Sequence, residues 1–121
     1  MKIGEFISSV NTTKETVRHY EDMNLLQPSW DQNRKVYTKK EIDDFQMIMD
    51  LKSMGFSLKD IQLMFNLKKA YGCGNEKLIN DVMKQLNNHI DVLKKEEEEI
   101  LQRRIKLEKE INLIDSYMSN K

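Results

Sequence analysis

Two short stretches of the sequence concentrate positive charge in residue types that suit phosphate binding. The first contains Lys14, Arg18 and His19, and the second begins at Arg34 and ends at Lys40. The whole chain balances 20 Lys/Arg against 20 Asp/Glu, so its net charge says nothing about a nucleic-acid partner. Because a DNA contact neutralises only the phosphates that it touches, local clustering is the informative signal. Both stretches are therefore candidate DNA-binding segments.

Cys73 is the other residue that could carry chemistry. It is the chain's single cysteine, which excludes an intrachain disulfide. Its glycine neighbours and its place before a helix make it a candidate thiol sensor, although a structural or incidental role is the interpretation that we favour. One thiol with only His19 and His89 is too few ligands for a typical metal site. No phosphate loop or nucleophile–base motif is present, so we expect no enzyme, cofactor or metal.

The first basic stretch lies on the second of two predicted short helices. Residues 3–9 are predicted to form the first helix, and Asn11 tolerates the left-handed backbone of a tight turn. Either Thr12, through a capping box with Glu15, or Thr13 can cap the second helix, which is predicted to end near residue 23. A second helix that carries cations after a short turn is typical of a helix-turn-helix.

The second basic stretch lies in a predicted wing that two further helices follow. Residues 29–37 are polar and suit a small hairpin. Thr38 and Glu41 form a capping box that predicts a third helix, which Gly55 ends, and Ser57 is placed to cap a fourth. The methionines at positions 47, 49, 54, 64 and 83 are interpreted as core filling rather than as the lining of a ligand pocket. Residues 1–70 are thus predicted to form a mainly α domain, with residues 71–75 as a linker.

From residue 76 onward the sequence contains neither proline nor glycine, and residues 76–118 are predicted to form one long helix with a short tail at 119–121. Apolar residues recur along it in a heptad pattern with one stutter, interrupted by Glu97 and Arg104. A domain of 70 residues cannot cover so long a seam, so a second copy of the chain is the expected partner. The predicted homodimer interface consists of Ile79, Val82, Leu86, Ile90, Leu93, Ile100, Leu107, Ile111 and Ile114.

An ordered set of motifs resembles the N-terminal domain of the MerR family of bacterial transcriptional regulators. The set comprises MKIGE at 1–5, TVRHYE at 16–21, LLxP at 25–28, VYT at 36–38 and MGFSLxxI at 54–61. The resemblance implies a winged helix-turn-helix followed by a dimerisation helix in an antiparallel coiled coil. The long helix matches the family in position and character rather than by motif.

The resemblance also implies which residues contact DNA. The predicted contacts are Thr13, Lys14, Glu15, Thr16, Arg18, His19, Tyr20, Arg34, Lys35 and Tyr37. Taken alone, Arg18 would be a solvated helix residue, Glu15 could serve only as a cap, and Tyr37 could be partly core. The wing departs from the family's usual N-G-Y-R-x-Y stretch, because the glycine is missing and Arg34 stands where a tyrosine is usual.

The interpretation that follows is a cytoplasmic regulator that binds double-stranded promoter DNA. The expected site is a pseudo-palindromic operator, bound by a homodimer. The resemblance implies that the protein distorts the promoter spacer and acts together with RNA polymerase. The alternatives are an architectural or excision-type DNA-binding protein of the same fold and a coiled-coil adaptor without DNA binding. No membrane segment is expected, nor a separate effector domain, and an inducer is not readable from the sequence.

Overall fold

A computed structural model describes residues 1–72 and 74–120, so Cys73, the candidate thiol sensor, lies outside the described residues. The described chain is mainly helical, with one small antiparallel hairpin. The elements follow in the order α1 (Ile3–Val10), α2 (Lys14–Asp22), β1 (Ser29–Asp31), β2 (Arg34–Val36), α3 (Lys39–Ser53), α4 (Leu58–Tyr71) and α5 (Glu76–Ser119). The chain divides into two compact units, Met1–Asn75 and Glu76–Lys121. The predicted winged helix-turn-helix and the predicted long helix are both confirmed.

The helix boundaries are set by short-range side-chain signals. Asn11 ends α1 in the left-handed conformation, with φ 54°. Thr13, rather than Thr12, caps α2 by accepting a hydrogen bond from Thr16 N at 3.2 Å. The predicted capping box of Thr38 and Glu41 is present at the start of α3. These signals act within three residues, which is why the sequence alone could reveal them.

The core of the first unit is built around stacked aromatic rings. The Phe6 and Tyr37 rings stack with centroids 4.6 Å apart, and Phe45 meets Phe6 edge-on at 6.1 Å. Tyr20 packs against Phe45 with centroids 5.8 Å apart, so α2 is held to α3 through its inner face. The backbone N–H of Tyr37 donates to the Met1 carbonyl at 2.7 Å, which ties the end of the hairpin to the start of the chain.

The methionines contradict the interpretation as core filling. Of the five methionines that were interpreted as core filling, only Met64 is buried. The exposed ones are Met47, Met49, Met54 and Met83. A methionine is flexible enough to occupy either environment, so its identity alone does not report burial.

The second unit is the single helix α5, whose 44 residues give a length of about 66 Å. Seven of the nine predicted interface residues are exposed along it, and Val82 and Leu86 are half-buried. Among the described residues, none of the helices is both long and apolar enough to cross a membrane.

Candidate nucleic-acid interface

The outer face of α2 carries the first group of cations. Lys14 and Arg18 are one helical turn apart and both are exposed, whereas Val17 and Tyr20 point into the core. Because the cap and the buried pair fix the rotation of the helix, the two cations face solvent on one side. Glu15 and His19 are also exposed, on the neighbouring stripe of the helix.

The N-terminal threonines of α2 are partly occupied with each other. The hydroxyl oxygens of Thr13 and Thr16 are 2.9 Å apart, and Thr13 also accepts from the backbone of Thr16. Thr13 is exposed and Thr16 is half-buried. A hydroxyl has one donor and two acceptor positions, so each threonine keeps capacity for another partner.

The hairpin carries the second group of cations and turns without a glycine. Strands β1 and β2 pair in the register Ser29–Val36, Trp30–Lys35 and Asp31–Arg34. Gln32 and Asn33 form the two-residue turn with φ 47° and 66°. Two successive positive φ values are the mark of a type I′ turn, whose twist matches that of the strands. The wing therefore keeps a tight hairpin although the family's usual glycine is missing.

A groove brings residues of α1, α2 and the hairpin together. Five of its lining side chains are cationic and one is acidic, among the described residues. The lining consists of Lys2, Ile3, Lys14, Arg18, Glu21, Trp30, Asn33, Arg34, Lys35 and Tyr37. Such a surface suits a polyanion, because several cations face one space with little opposing charge.

Glu21 is the acidic residue of the groove and connects the helix to the wing. Its Oε1 lies 3.0 Å from Lys35 Nζ, and the Tyr37 hydroxyl donates to both carboxylate oxygens at 3.3 Å. Burial, and then the neighbouring Glu21 carboxylate, raise the pKa of Tyr37 to about 12. The phenol therefore stays protonated and remains a hydrogen-bond donor to Glu21.

Tyr20 lies on the opposite side of α2 from the groove cations. Its side chain is 2% exposed, and its hydroxyl accepts a hydrogen bond from Lys52 Nζ at 3.4 Å. Tyr37 is buried as well, although it lines the inner end of the groove. Both rings therefore pack beneath the cationic surface and support it.

The groove thus gathers five of the ten predicted contact residues. These are Lys14, Arg18, Arg34, Lys35 and Tyr37. The other five, Thr13, Glu15, Thr16, His19 and Tyr20, lie on α2 or its cap outside the lining. The contact roles of all ten stay predictions.

Trp30 and Lys2 also line the groove, although neither was among the predicted contact residues. A tryptophan in an otherwise polar strand segment was the available signal for the first of them. Within residues 1–72 and 74–120, no group of three His, Cys, Asp or Glu side chains is arranged to hold a metal ion.

Comparison with known proteins identifies similar sequences and structures. The family model described as the MerR HTH family regulatory protein matches residues 1–68. A protein from Haemophilus influenzae described as an HTH-type transcriptional regulator, ZntR homolog, is 26% identical over 122 residues, covering 99% of this chain and 85% of the relative.

Two solved structures share the fold. The transcription regulator PbrR691 from Ralstonia metallidurans CH34, determined in complex with lead(II), is 25% identical with a TM-score of 0.53, covering 86% of this chain and 85% of that one. The N-terminal part of MtaN, the Bacillus subtilis multidrug transporter activator, is 20% identical with a TM-score of 0.51, covering 78% of this chain and 95% of that one. At that identity the second similarity shows the fold alone.

Proposed function

Because the chain belongs to the MerR HTH family of regulatory proteins, we propose that it binds double-stranded promoter DNA as a homodimer and regulates transcription there. The observation that carries the proposal is the groove, in which Lys14 and Arg18 of α2 face the same space as Arg34 and Lys35 of the wing. The N-terminal part of a recognition helix enters the major groove, and a wing reaches the adjacent backbone. Cations on both elements can then neutralise phosphates on either side of the major groove.

The roles within the proposed contact differ between elements. The exposed residues at the start of α2, Thr13 to Glu15, are nearest to base edges, so they are the candidates for reading sequence. Arg18, one turn further on, is a candidate phosphate clamp, because its planar head donates several hydrogen bonds at once. Tyr20 and Tyr37 act from beneath by fixing the rotation of α2 and the position of the wing.

The homodimer is supported by the exposed apolar seam of α5. Ile100, Leu107 and Ile111 are each more than half exposed. A row of such residues on a soluble helix is stabilised when a second apolar helix covers it. A two-fold dimer predicts a pseudo-palindromic operator, whose half-site spacing follows from the length of α5.

Distortion of the promoter spacer and action together with RNA polymerase are proposed from family membership. Bending or untwisting an operator costs several kcal/mol, and the protein–DNA contacts at the two half-sites must offset this cost. A small change at the dimer helix can then switch transcription. The distortion is tested with an operator duplex that carries a fluorophore at each end. Protein binding is expected to change the energy transfer between the two fluorophores, and an unchanged transfer would contradict the distortion.

Arg18→Ala tests the DNA-binding proposal directly. The titration uses the full chain and a labelled duplex from upstream of its own gene, followed by fluorescence anisotropy. We expect the affinity to fall by roughly tenfold and the slope of log K against log salt to decrease by about one. Lys95→Ala, which removes an exposed charge from α5, is the matched control and should leave both quantities unchanged. Unchanged affinity of the Arg18 variant would favour an adaptor without this DNA contact.

A further inference from the structure

The indole of Trp30 is the largest apolar group on the wing, and it is left in solvent. Trp30 is the chain's only tryptophan, and 67% of its surface is exposed. It lies on β1, whose three residues are all exposed. Tryptophan is normally well buried, and its amphipathic ring is enriched where a partner covers it. The exposed indole is therefore a candidate contact for a binding partner.

The contacts of Trp30 show that a partner covering the indole would also lie over the groove. Trp30 and Lys35 are partners in the β-ladder, so their side chains lie on the same face of the hairpin. Lys35 Nζ is 5.7 Å from the centre of the indole ring and also pairs with Glu21 of α2. The indole thus lies on the side of the wing that faces the recognition helix, in the groove that Arg18 also lines.

We propose that Trp30 is a DNA-contact residue, whose indole packs on the sugar–phosphate backbone of the duplex seated in the groove. This inference rests on the proposed DNA binding and adds to it an apolar, uncharged contact on the wing. The faces of deoxyribose are apolar, and the phosphates beside them accept hydrogen bonds. An indole matches both, through its ring and its Nε1–H donor.

The charge of the groove favours DNA over a protein partner. Among the described residues that line it, five are cationic and the single carboxylate, Glu21, is already paired with Lys35. An apolar protein surface pressed on Trp30 would desolvate these cations without compensation. A duplex places phosphates opposite them, and the ring is then buried as part of the same contact.

The single tryptophan makes the contact directly observable. The full-length protein is titrated with the labelled duplex, and tryptophan emission and DNA anisotropy are recorded in the same samples. We expect the emission to shift to shorter wavelength and to be quenched in step with the anisotropy, because the ring moves from water onto DNA.

Substitutions distinguish direct contact from support of the wing. Trp30→Ala is expected to weaken binding about tenfold. Its salt slope should equal that of the wild type, because no phosphate-bound cation is lost. Trp30→Phe keeps an aromatic face and should stay within about threefold of the wild type. Since Trp30 is exposed, all three proteins should unfold at similar temperatures.

Several outcomes would overturn the proposed Trp30 contact. Emission that is unchanged at saturation, or wild-type affinity in Trp30→Ala, would overturn the inference while leaving DNA binding intact. A salt slope lowered by about one in Trp30→Ala would show that the ring acts only by holding Lys35, and would also overturn it. Anisotropy that does not change even for the wild type would overturn the proposed function, and this inference with it.

Discussion

Lys35 of the wing and Glu21 of α2 form an ion pair, with Nζ and Oε1 3.0 Å apart. The carboxylate side is largely covered, at 10% exposed, while the lysine is 43% exposed. Glu21 therefore belongs to the supporting structure, and Lys35 remains open to a ligand. The pair holds the Lys35 ammonium at the boundary between the two elements that are proposed to contact DNA.

Glu21→Gln is expected to trade selectivity for general DNA affinity. The substitution releases Lys35 and removes the only carboxylate among the described groove-lining residues. Affinity for a random-sequence duplex should therefore rise by roughly threefold to tenfold, while the preference for the operator falls. The loss of unfolding free energy should stay below about 1 kcal/mol, because Lys35 is 43% exposed and a glutamine oxygen can still accept the hydrogen bond from Tyr37. Competition titrations with both duplexes measure the ratio.

The matched control for this change is Asp22→Asn, which removes an exposed carboxylate from the neighbouring position of α2. It changes the net charge equally but leaves the Lys35–Glu21 pair in place. If the two variants shift random-sequence affinity by the same amount, the effect is one of overall charge and the positioning role of Glu21 is wrong.

Tyr37 predicts a stability change in alkaline solution. Its pKa is raised from 10.0 to about 12 by burial and by Glu21, so the folded protein holds this proton more tightly than the unfolded chain. The stabilisation is fully present below pH 10 and is lost progressively as the pH rises, by about 2 kcal/mol near pH 12. Tyr37→Phe should lack this part of the pH dependence.

Urea unfolding of both proteins across that pH interval isolates the tyrosine, because the two proteins differ only at this residue. Parallel curves for the wild type and Tyr37→Phe would mean that the phenol ionises at its ordinary pKa, and that its hydrogen bond to Glu21 contributes nothing at high pH.

The wing turn contains removable backbone strain. Gln32 and Asn33 both adopt positive φ, a region that costs most residues about 1 kcal/mol or more. Replacing the pair by Asn-Gly, the preferred type I′ dipeptide, should raise the unfolding free energy by about 0.5–1 kcal/mol. Thermal unfolding measures the gain. Gln32→Val, which introduces a β-branched residue at the same position, should lower stability, and the opposite order of the two variants would exclude this turn as a source of strain.

The elements that could be predicted are those whose signals are local. Thr13 and Thr38 cap their helices through atoms no more than three residues away, and Asn11 supplies its turn by itself. The apolar periodicity likewise predicted α5, because a long heptad pattern without proline or glycine indicates a helix without any knowledge of tertiary contacts. Family motifs added the order of these elements and the expected DNA-facing side of α2.

The parts that the sequence did not reveal depend on packing between distant residues. The Tyr37 hydroxyl reaches a carboxylate 16 positions away, and only the folded wing brings the two together. Burial of Tyr20 follows from its contact with Phe45 on another helix. The exposure of Met47 and Met49 reflects which face of α3 meets its neighbours, and that face is set by packing between distant residues.

Leu107→Asp is expected to separate the proposed dimer. Leu107 is 66% exposed in the single chain and lies on the apolar seam of α5. Two-fold symmetry introduces the aspartate twice, so the dissociation constant should rise by at least about a hundredfold. Sedimentation equilibrium over a range of concentrations measures it. Gln102→Asp, an exposed position outside the seam, should dimerise like the wild type, while Arg104→Leu should dimerise more tightly because it extends the apolar seam.

The orientation of the two helices is the remaining part of the dimer prediction, and end-to-end geometry tests it. In an antiparallel pair the C-terminal ends of α5 lie at opposite ends of a rod of about 66 Å, whereas in a parallel pair they are adjacent. A Ser119→Cys substitution in a Cys73→Ser background should therefore form no disulfide within the dimer under mild oxidation. Rapid and complete cross-linking at concentrations where the dimer persists would exclude the antiparallel coiled coil. It would also change the spacing expected between operator half-sites, since the N-terminal ends of the two α5 helices would then be adjacent.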